Sequence, residues 1–497
     1  MTNVLIDRGA KTPVYRQIAE ALQAQIRAGD IRDGDRLPSE RTMAAELGVN
    51  RTTVVNAYDE LASLGLVSGE VGRGTVVRLD LARTTDTELM WSQLFTQMGS
   101  GQEALAMEEL LESVHLQGVI SLASASADES LLPTAELQAL INAAIDELGP
   151  DVFAFPDVNG APALREALAQ RSAARGVDVD PAGILVTAGA QQGLSLLTEC
   201  LVNPGDVVAI ETPYYTGALA ALRNRGARLI GIPQDDHGLR VDLLEQVLER
   251  HPVKVVFTMA NFSNPSGTVL SPERRQRLLE VTRRFGVPVV DDDVLQDLPL
   301  GVPAPPSLRL AGPADHVISL GSLSKPLTCG LRIGWMIAAP ELIRRASLIK
   351  QTRDLSCPRL TQEFAARLLS TGLFDRHLER ILPEYRARRD ALIGGLARHC
   401  GAAMTVSQPD GGLSLWCRLH GGLRARALLA EAAREGVVFL PGDAFTIDND
   451  GAEHLRICFG IAGLDELREG ARRLGRAVDA LSQRTTMAGT RSARPMV

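Results

Sequence analysis

The chain has 497 residues with 45% hydrophobic and 23% charged side chains, a balance typical of folded globular proteins, and its length suggests about three folding units. Its net charge of −8 argues against a wholesale polyanion binder, although a local basic surface is compatible with it. It has no long apolar run, no secretory signal and no metal-type spacing among its six cysteines and eight histidines, so we expect a cytoplasmic protein that is neither a membrane protein nor a metalloenzyme.

Residues 12–78 show the pattern of three short helices followed by a hairpin. The first helix is indicated by apolar residues that recur every four positions, namely Val14, Ile18, Leu22 and Ile26. Ser39 is a good N-cap for a second helix, which ends at Leu47 and Gly48. A third helix follows the turn at 48–50, and two β-prone pieces at 66–68 and 75–77 flank a glycine-rich hairpin loop.

This α+β unit resembles the winged helix-turn-helix of GntR-type bacterial regulators, because the pieces LPSER, GVNRTTV and GRGT occur in that order. The resemblance implies that the third helix enters the major groove of double-stranded operator DNA. Arg51 is then the best candidate for a bidentate guanine contact. The full set of DNA-binding residues implied is Arg41, Asn50, Arg51, Thr52, Thr53 and, in the wing, Arg73.

Bulk charge does not support this interpretation, since residues 1–80 hold ten basic and eleven acidic side chains. The prediction of DNA binding therefore depends on motif and placement. The alternative is a helix-turn-helix that only packs or dimerises, although a solvated Arg/Thr face beside a glycine-rich wing has little packing use.

The rest of the chain divides into a linker, a large domain and a tail. Residues 79–118 are rich in Thr, Asp and Gln, with short helical patches around 91–98 and 104–111, and predict a linker. From 119 to 482, apolar β-type runs alternate with helical stretches, which predicts an α/β domain with a parallel sheet and crossover helices. The last residues, 483–497, have no apolar period and predict a mobile tail.

The run SLSKPLTCGLRIG at 322–334 places hydroxyls, a lysine and an arginine at a spacing suited to a Schiff-base lysine beside a bound phosphate. With it, residues 119–482 resemble the class I/II aminotransferases of fold type I, which bind pyridoxal 5'-phosphate and have a large mixed or parallel sheet and a small C-terminal subdomain. The resemblance implies that Lys325 forms the internal aldimine. Ser322, Ser324 and Arg332 are the implied phosphate ligands.

Further motifs of the same family follow in order. Ala190 and Gln191, in TAGAQ, are implied to bind the phosphate at a helix start. Tyr215 is implied to stack on the pyridine ring, and Asn264, in NPSG, to bond the cofactor's 3-oxygen. Asp292 is implied to pair with the pyridinium nitrogen, and Arg456 to grip a substrate or effector carboxylate in a bidentate manner.

The sequence departs from the family at two positions. Leu295 stands where relatives usually carry a tyrosine that bonds the cofactor oxygen, and Phe155 where they carry a tyrosine that reaches the phosphate across a dimer interface. Each lost hydrogen bond to a charged group is worth about 1.5–3 kcal/mol. We therefore expect cofactor binding to persist while transamination suffers.

Together the two resemblances point to the MocR/GabR-type branch of the GntR regulators. They imply a homodimer, head-to-tail and domain-swapped, that binds operator DNA and senses an amino acid or amine through aldimine exchange at Lys325. The main alternative is a working aminotransferase with an accessory DNA-binding domain, and a second is a dimerisation scaffold with a dead cofactor site. The effector and the operator cannot be read from the sequence.

Overall fold

The chain forms two compact units, 1–108 and 109–497, in a computed structural model that describes residues 4, 6, 12–28, 30–70, 74–78, 118–312, 314–448 and 450–492. The two units are described separately below. Arg73 of the expected wing and nearly all of the expected linker at 79–118 lie outside the described residues.

The described part of the N-terminal unit is a winged helix-turn-helix. Its elements are α1 (Val14–Ala28), α2 (Glu40–Leu47), α3 (Arg51–Ser63), β1 (Val67–Glu70) and β2 (Gly74–Val77). Ser39 caps α2 by accepting a hydrogen bond from the backbone of Thr42 at 3.1 Å. Gly48 ends α2 with φ of 59°, a left-handed conformation that glycine adopts without strain. The predicted helices and hairpin are confirmed.

Apolar burial explains why these short elements hold together. Ile18, Leu22 and Ile26 of α1 have no exposed surface, and they join a core with Val54 and Leu61 of α3. The hairpin is antiparallel, with Val67 opposite Val77, and both residues enter the same core. Isolated helices of this length are marginal in water, so this shared apolar face is what stabilises the unit.

In the described part of the C-terminal unit, eight strands form one mixed sheet with the order β4-β11-β10-β9-β8-β5-β6-β7. The strands are β4 (Ile184–Thr187), β5 (Val207–Thr212), β6 (Arg228–Asp235), β7 (Gly238–Leu239), β8 (Val253–Thr258), β9 (Val289–Asp292), β10 (Val317–Ser322) and β11 (Gly334–Ile337). A short pair, β3 (Ile120–Ser121) with β14 (Val437–Val438), lies apart from this sheet.

The large sheet is mixed, in agreement with the fold that the resemblance implies, because two of its strands depart from the parallel direction. β11 runs antiparallel to both β10 and β4, and β7 runs antiparallel to β6. The physical reason is loop length. Residues 323–333, between β10 and β11, are too few for the crossover that a parallel connection requires, so the chain turns straight back.

Helices surround the sheet and lead into a smaller subdomain. They are α4 (Thr134–Leu148), α5 (Pro162–Ala174), α6 (Ala190–Leu201), α7 (Thr216–Asn224), α8 (Val241–Arg250), α9 (Pro272–Arg284), α10 (Pro340–Arg353), α11 (Arg359–Ser370) and α12 (Leu373–Cys400). The small C-terminal subdomain has an antiparallel sheet of the order β12-β13-β16-β15. Its elements are β12 (Met404–Val406), β13 (Ser414–Leu419), α13 (Ala425–Arg434), β15 (Leu440–Pro441), β16 (His454–Cys458) and α14 (Leu464–Ser492).

α14 continues to Ser492, into the stretch 483–497 for which we expected a mobile tail, and the mobility of that stretch stays a prediction. No proline interrupts residues 483–492, and Arg484 forms an ion pair with Glu431 of α13 that ties the helix to its neighbour. None of the helices in the described part of the chain combines the length and the hydropathy needed to cross a bilayer.

Candidate functional site

Lys325 lies in the short connection between β10 and β11, which places it at the carboxyl end of a central strand. Its Nζ donates a hydrogen bond to the carbonyl oxygen of Ala125 at 2.7 Å. Burial lowers the pKa of the Lys325 amine, because the charged form loses its hydration. The neutral amine that Schiff-base chemistry needs is therefore more accessible here than on an exposed lysine.

Two serines beside Lys325 are held in a fixed arrangement. The Oγ of Ser322 lies 2.9 Å from the Oγ of Ser324 and 3.1 Å from the carbonyl oxygen of Ile333. The backbone N–H of Ser324 donates to the Oγ of Ser322 at 3.0 Å. Both side chains are buried, so the two hydroxyls are oriented before any ligand arrives.

The start of α6 meets the start of β11 at very close range. A Cβ atom at Gly334 would lie 2.6 Å from the carbonyl carbon of Gly189 and 2.7 Å from the nitrogen of Ala190. Arg332, with φ of 52°, donates from Nη2 to the carbonyl oxygen of Ala188 at 2.8 Å. The first N–H groups of a helix and a guanidinium thus converge on one place, an arrangement typical of a phosphate site.

Asp292 ends β9 and is almost fully buried. Burial, followed by the neighbouring Asp291 carboxylate, raises the pKa of Asp292 to about 7. Its Oδ1 has no hydrogen-bond partner among the described residues. Since buried carboxylate oxygens are rarely left unpaired, this atom is suited to accept from a ring N–H of a bound group.

Tyr215 and Gln191 pack together next to Asp292. Burial and the Asp292 carboxylate raise the pKa of Tyr215, whereas Arg456 and Arg332 act in the opposite direction, so the phenol lies among these three groups. Gln191 donates from Nε2 to the carbonyl oxygen of Gly217 at 3.0 Å. A Cβ atom at Gly217 would lie 2.3 Å from the Oε1 of Gln191 and 2.6 Å from the Cε1 of Tyr215. Glycine at 217 is what allows this packing.

Arg456, on β16, brings the small subdomain into the site. It donates from Nη1 to the Oδ1 of Asn264 at 3.0 Å and from Nη2 to the carbonyl oxygen of Ala123 at 2.7 Å. Its Cζ lies 4.7 Å from the centroid of the Phe445 ring. The Nε is buried and has no partner among the described residues. An oriented guanidinium whose Nε has no partner is suited to a carboxylate.

In the N-terminal unit, the residues expected to bind DNA lie around the start of α3. Asn50 is the N-cap of α3, where its Oδ1 accepts from the backbone of Thr52 at 3.1 Å. Arg51 is 70% exposed and donates from both Nε and Nη2 to one carboxylate oxygen of Glu40, at 3.1 and 2.8 Å. Arg41 and Thr52 are exposed, and Thr53 is half-buried.

Comparisons with known proteins match both the N-terminal and the C-terminal part of the chain. Residues 121–474 match the family described as aminotransferase class I and II, and residues 14–77 match the bacterial regulatory proteins of the gntR family. The chain belongs to the aminotransferase class I and II family. Its order of domains is that of the MocR/GabR-type GntR regulators.

Two curated relatives and one solved structure illustrate the match. The HTH-type transcriptional regulator YdfD of Bacillus subtilis is 28% identical over 95% of this chain and 98% of its own length. The rhizopine catabolism regulatory protein MocR of Rhizobium meliloti is 28% identical over 88% of each chain. The α-aminoadipate aminotransferase LysN of Thermus thermophilus, solved with a phosphopyridoxyl-leucine, is 32% identical with a TM-score of 0.73, over 79% of this chain and 99% of its own.

The cofactor of this aminotransferase-family chain is pyridoxal 5'-phosphate, and the residues present fit it. The unpaired Oδ1 of Asp292 suits the pyridinium N–H. The close approach of Gly334 to Gly189 and Ala190 leaves a backbone cradle for the phosphate, with Arg332 beside it. Bound there, the cofactor supplies an electrophilic carbon for amines and an electron-withdrawing ring.

The two departures from the family lie in different surroundings. Leu295 is buried, and a Cβ atom at Gly412 would lie 3.6 Å from its Cδ1, so it fills apolar space. Phe155 is 82% exposed, and Phe153 is exposed as well. The effects that we expect from Leu295 and Phe155 stay predictions.

Some functional groups were not predicted from the sequence. The carbonyl oxygens of Ala123 and Ala125, which accept from Arg456 and Lys325, belong to the backbone and have no side-chain signal. Phe445, beneath Arg456, carried no motif that distinguished it from a core aromatic. Near the wing, the Nε of the exposed Arg36 would lie 3.1 Å from a Cβ atom at Gly74. Its position directly before LPSER is the sequence signal that could have identified it.

Proposed function

We propose that the protein is a transcriptional regulator that binds operator DNA through its winged helix and senses an amino acid through Lys325. Support for DNA binding comes from the exposed Arg41, Arg51 and Thr52 around the start of α3. The observation that carries the sensing half is the unpaired Nε of the buried Arg456, next to the site of Lys325 and Asp292. DNA binding would place the protein in the cytoplasm.

The sensing step is an exchange of amines, called aldimine exchange. Lys325 would hold the cofactor through its Nζ, the cofactor would supply the electrophilic carbon at which an effector amine could take the place of that Nζ, and the displaced lysine would take up the proton that the effector amine gives up. Two features support this step: burial lowers the pKa of Lys325, and the Ala125 carbonyl oxygen, at 2.7 Å, accepts from its Nζ.

Arg456 selects effectors that carry a carboxylate. Its Nη1 donates to Asn264 and its Nη2 to Ala123, so the Nε remains to donate to the ligand. Phe445 packs against the guanidinium and keeps it in one plane. A carboxylate bound here would lie between the large domain and the small subdomain, and its presence would favour one arrangement of the two.

The functional unit we propose is a homodimer, with the head-to-tail arrangement that the family resemblance implies. The exposed Phe153 and Phe155 support a partner surface at this point, since neighbouring exposed aromatics are uncommon on monomers. A two-fold dimer also matches an operator with two half-sites.

Catalytic aminotransferase activity is the second candidate. It is favoured by relatives such as the 2-aminoadipate transaminase of Thermus thermophilus, 33% identical over 79% of this chain. Leu295 supports the sensor, because a leucine offers no hydroxyl to the cofactor oxygen and proton shuttling should be slow.

The test measures binding and turnover on the same samples. Wild type and Lys325→Ala, each loaded with cofactor, are titrated with a panel of L-amino acids while the near-visible absorption and operator binding are followed. We expect at least one amino acid to change both signals in wild type, and we expect Lys325→Ala, whose cofactor keeps a free aldehyde, to lack the wild-type near-visible absorption before any amino acid is added. Turnover by wild type at about 1–10 per second or more with any keto acid acceptor would favour the enzyme.

A further inference from the structure

A cavity lies on the face of the large sheet opposite the residues of the cofactor site. Its volume is about 480 Å³, and Ser319, Trp335 and Ile337 form part of its lining. Ser319 pairs with Ile337 and Gly321 with Trp335, so these positions share one face of β10 and β11. Ser322 is three positions from Ser319 and therefore points to the other face, towards the cofactor site.

The cavity is of ligand size, and its lining combines apolar and polar side chains. Its walls are contributed by α5, by the proline-rich loop at 299–307 and by α12. Leu310 and Leu382 add aliphatic surface, and Leu310 is 45% exposed at the opening. Small-molecule sites typically have volumes of about 300–1,000 Å³ with a few placed polar groups.

Most charged groups of the lining are already paired. Asp297 accepts from Arg171 at 3.0 Å and also from Arg175, and Asp375 accepts from Arg171 at 2.7 Å. Asp293 accepts from the side chain of Asn261 at 2.9 Å, and burial raises its pKa well above the usual range. These groups form the wall and do not need a ligand.

Two donors in the lining have no partner among the described residues: the Nε of Arg309 and the Oγ of Ser319. Both residues are only 7% exposed. Arg309 donates from Nη1 to the carbonyl oxygens of Val317 and, at 3.3 Å, of Ile337, and Asp315 acts on it electrostatically. Because Ser319 lies opposite Ile337, the two donors occupy the same end of the cavity. Buried polar atoms without partners are rare.

We propose that this cavity is a second ligand site, which binds a small organic carboxylate with an apolar body. One carboxylate group accepts from both the Nε of Arg309 and the Oγ of Ser319, and the body packs against Trp335 and Leu382. A singly charged carboxylate fits better than a dianionic phosphate, because Arg171 and Arg175 are paired with Asp297 and Arg309 alone among the arginines of this lining has an Nε without a partner. The site is separate from the effector site at Arg456 and does not depend on the proposed function.

The test uses fluorine NMR on the full-length protein with its cofactor bound. The probe is 4-(trifluoromethyl)benzoate, and 4-(trifluoromethyl)benzamide is its uncharged counterpart. Line broadening of the probe reports binding, and a titration gives the affinity. We expect the benzoate to bind wild type at least about tenfold more tightly than the benzamide, since the charged acceptor is the group that the two donors recognise.

Four variants locate the binding. Ser319→Leu fills the donor end, and Leu310→Glu places a like charge at the exposed opening without disturbing the core. Leu64→Glu makes the same change at an exposed leucine of the other unit, and Arg456→Lys alters the effector site.

We expect affinity for the benzoate to fall at least about tenfold in Ser319→Leu and Leu310→Glu and to stay unchanged in Leu64→Glu and Arg456→Lys. The proposal is overturned by absence of broadening in wild type, by equal binding of the benzamide, by full affinity in a folded Leu310→Glu protein, or by loss of binding in Arg456→Lys.

Discussion

Arg456 donates from Nη1 to the Oδ1 of Asn264 at 3.0 Å, across 192 residues of sequence. Because a guanidinium has donors and no acceptor, this contact orients the Asn264 amide with its oxygen towards Arg456. The Nδ2 group of Asn264 is then the part that can donate to the cofactor's 3-oxygen. The residue that we propose to hold an effector carboxylate and the residue that we expect to bind the cofactor are thus in direct contact, which offers a physical route from ligand binding to the cofactor.

Arg456→Lys should weaken the binding of amino acids at least about tenfold, because lysine lacks the fork that serves Asn264, Ala123 and a carboxylate together. Amines without a carboxylate should bind unchanged. Titration of the cofactor absorption with matched amino acid and amine pairs measures both. Arg418→Lys, at an exposed position of β13, is the matched control. Equal losses for amino acids and amines would contradict the carboxylate role.

Gly334→Ala should lower the affinity for pyridoxal 5'-phosphate at least about tenfold, because the added methyl group would meet the backbone of Gly189 and Ala190 at 2.6–2.8 Å and push the phosphate cradle apart. Gly330→Ala is the control within the same motif, since its methyl group would meet only the Oγ1 of Thr328 at 3.7 Å. Titration of cofactor-free protein with the cofactor gives both affinities. Similar affinities for the two variants would contradict the cradle.

The contribution of Asp292 to the stability of the cofactor-free protein should fall as the pH rises from about 4 to about 7. Burial raises the pKa of Asp292 to about 7, above its unfolded value of 3.8, so the folded state holds the proton more tightly, and this stabilisation is lost as the carboxyl ionises. Each pKa unit corresponds to about 1.4 kcal/mol.

Asp292→Asn should make this pH dependence shallower, and denaturant unfolding at several pH values measures it. Burial also raises the pKa of Glu211 to about 7, and that contribution is common to both proteins. The difference between them therefore reports Asp292 together with its interaction with Asp291. Identical slopes in the two proteins would show that Asp292 does not titrate in this range.

Arg51→Ala should cost about 1–3 kcal/mol of operator binding and relax base preference at one position per half-site. Glu40→Ala should not weaken binding, since it only releases Arg51 from an exposed ion pair worth at most about 1 kcal/mol. Mobility-shift titrations at fixed salt compare the two. Arg16→Ala, which removes another exposed ion pair, is the control. Unaltered operator binding in Arg51→Ala would argue against base recognition by α3.

Leu295→Tyr should speed the conversion of an amino acid to its keto acid. The phenol hydroxyl can donate a hydrogen bond to the cofactor's 3-oxygen, whereas leucine has no donor. The rate of half-transamination in single-turnover absorption experiments measures the change. Leu295→Phe, which adds the ring without the hydroxyl, is the control. A tyrosine variant no faster than the phenylalanine variant would show that the hydroxyl at 295 is not what limits conversion.

Local chemistry made much of the protein predictable from sequence. Ser39 and Gly48 determine both ends of α2 by hydrogen bonds and dihedral angles within one turn. The phosphate-side residues Ser322, Ser324, Lys325 and Arg332 lie within eleven positions of each other, so a single short connection brings them together.

Tertiary structure decided what depends on distant segments. β11 pairs with β4 from a distant part of the chain, and α14 is joined to α13 through Arg484 and Glu431. The partners of Lys325 and Arg456 are backbone oxygens of residues 123–125, and a carbonyl group is the same in every residue type. The unpaired donors of Arg309 and Ser319 come close only because the segment around Arg309 packs against β10 and β11. Sequence determined which side chains carry the chemistry, whereas packing determined which atoms they meet, because burial and hydrogen bonding depend on contacts between residues far apart in the chain.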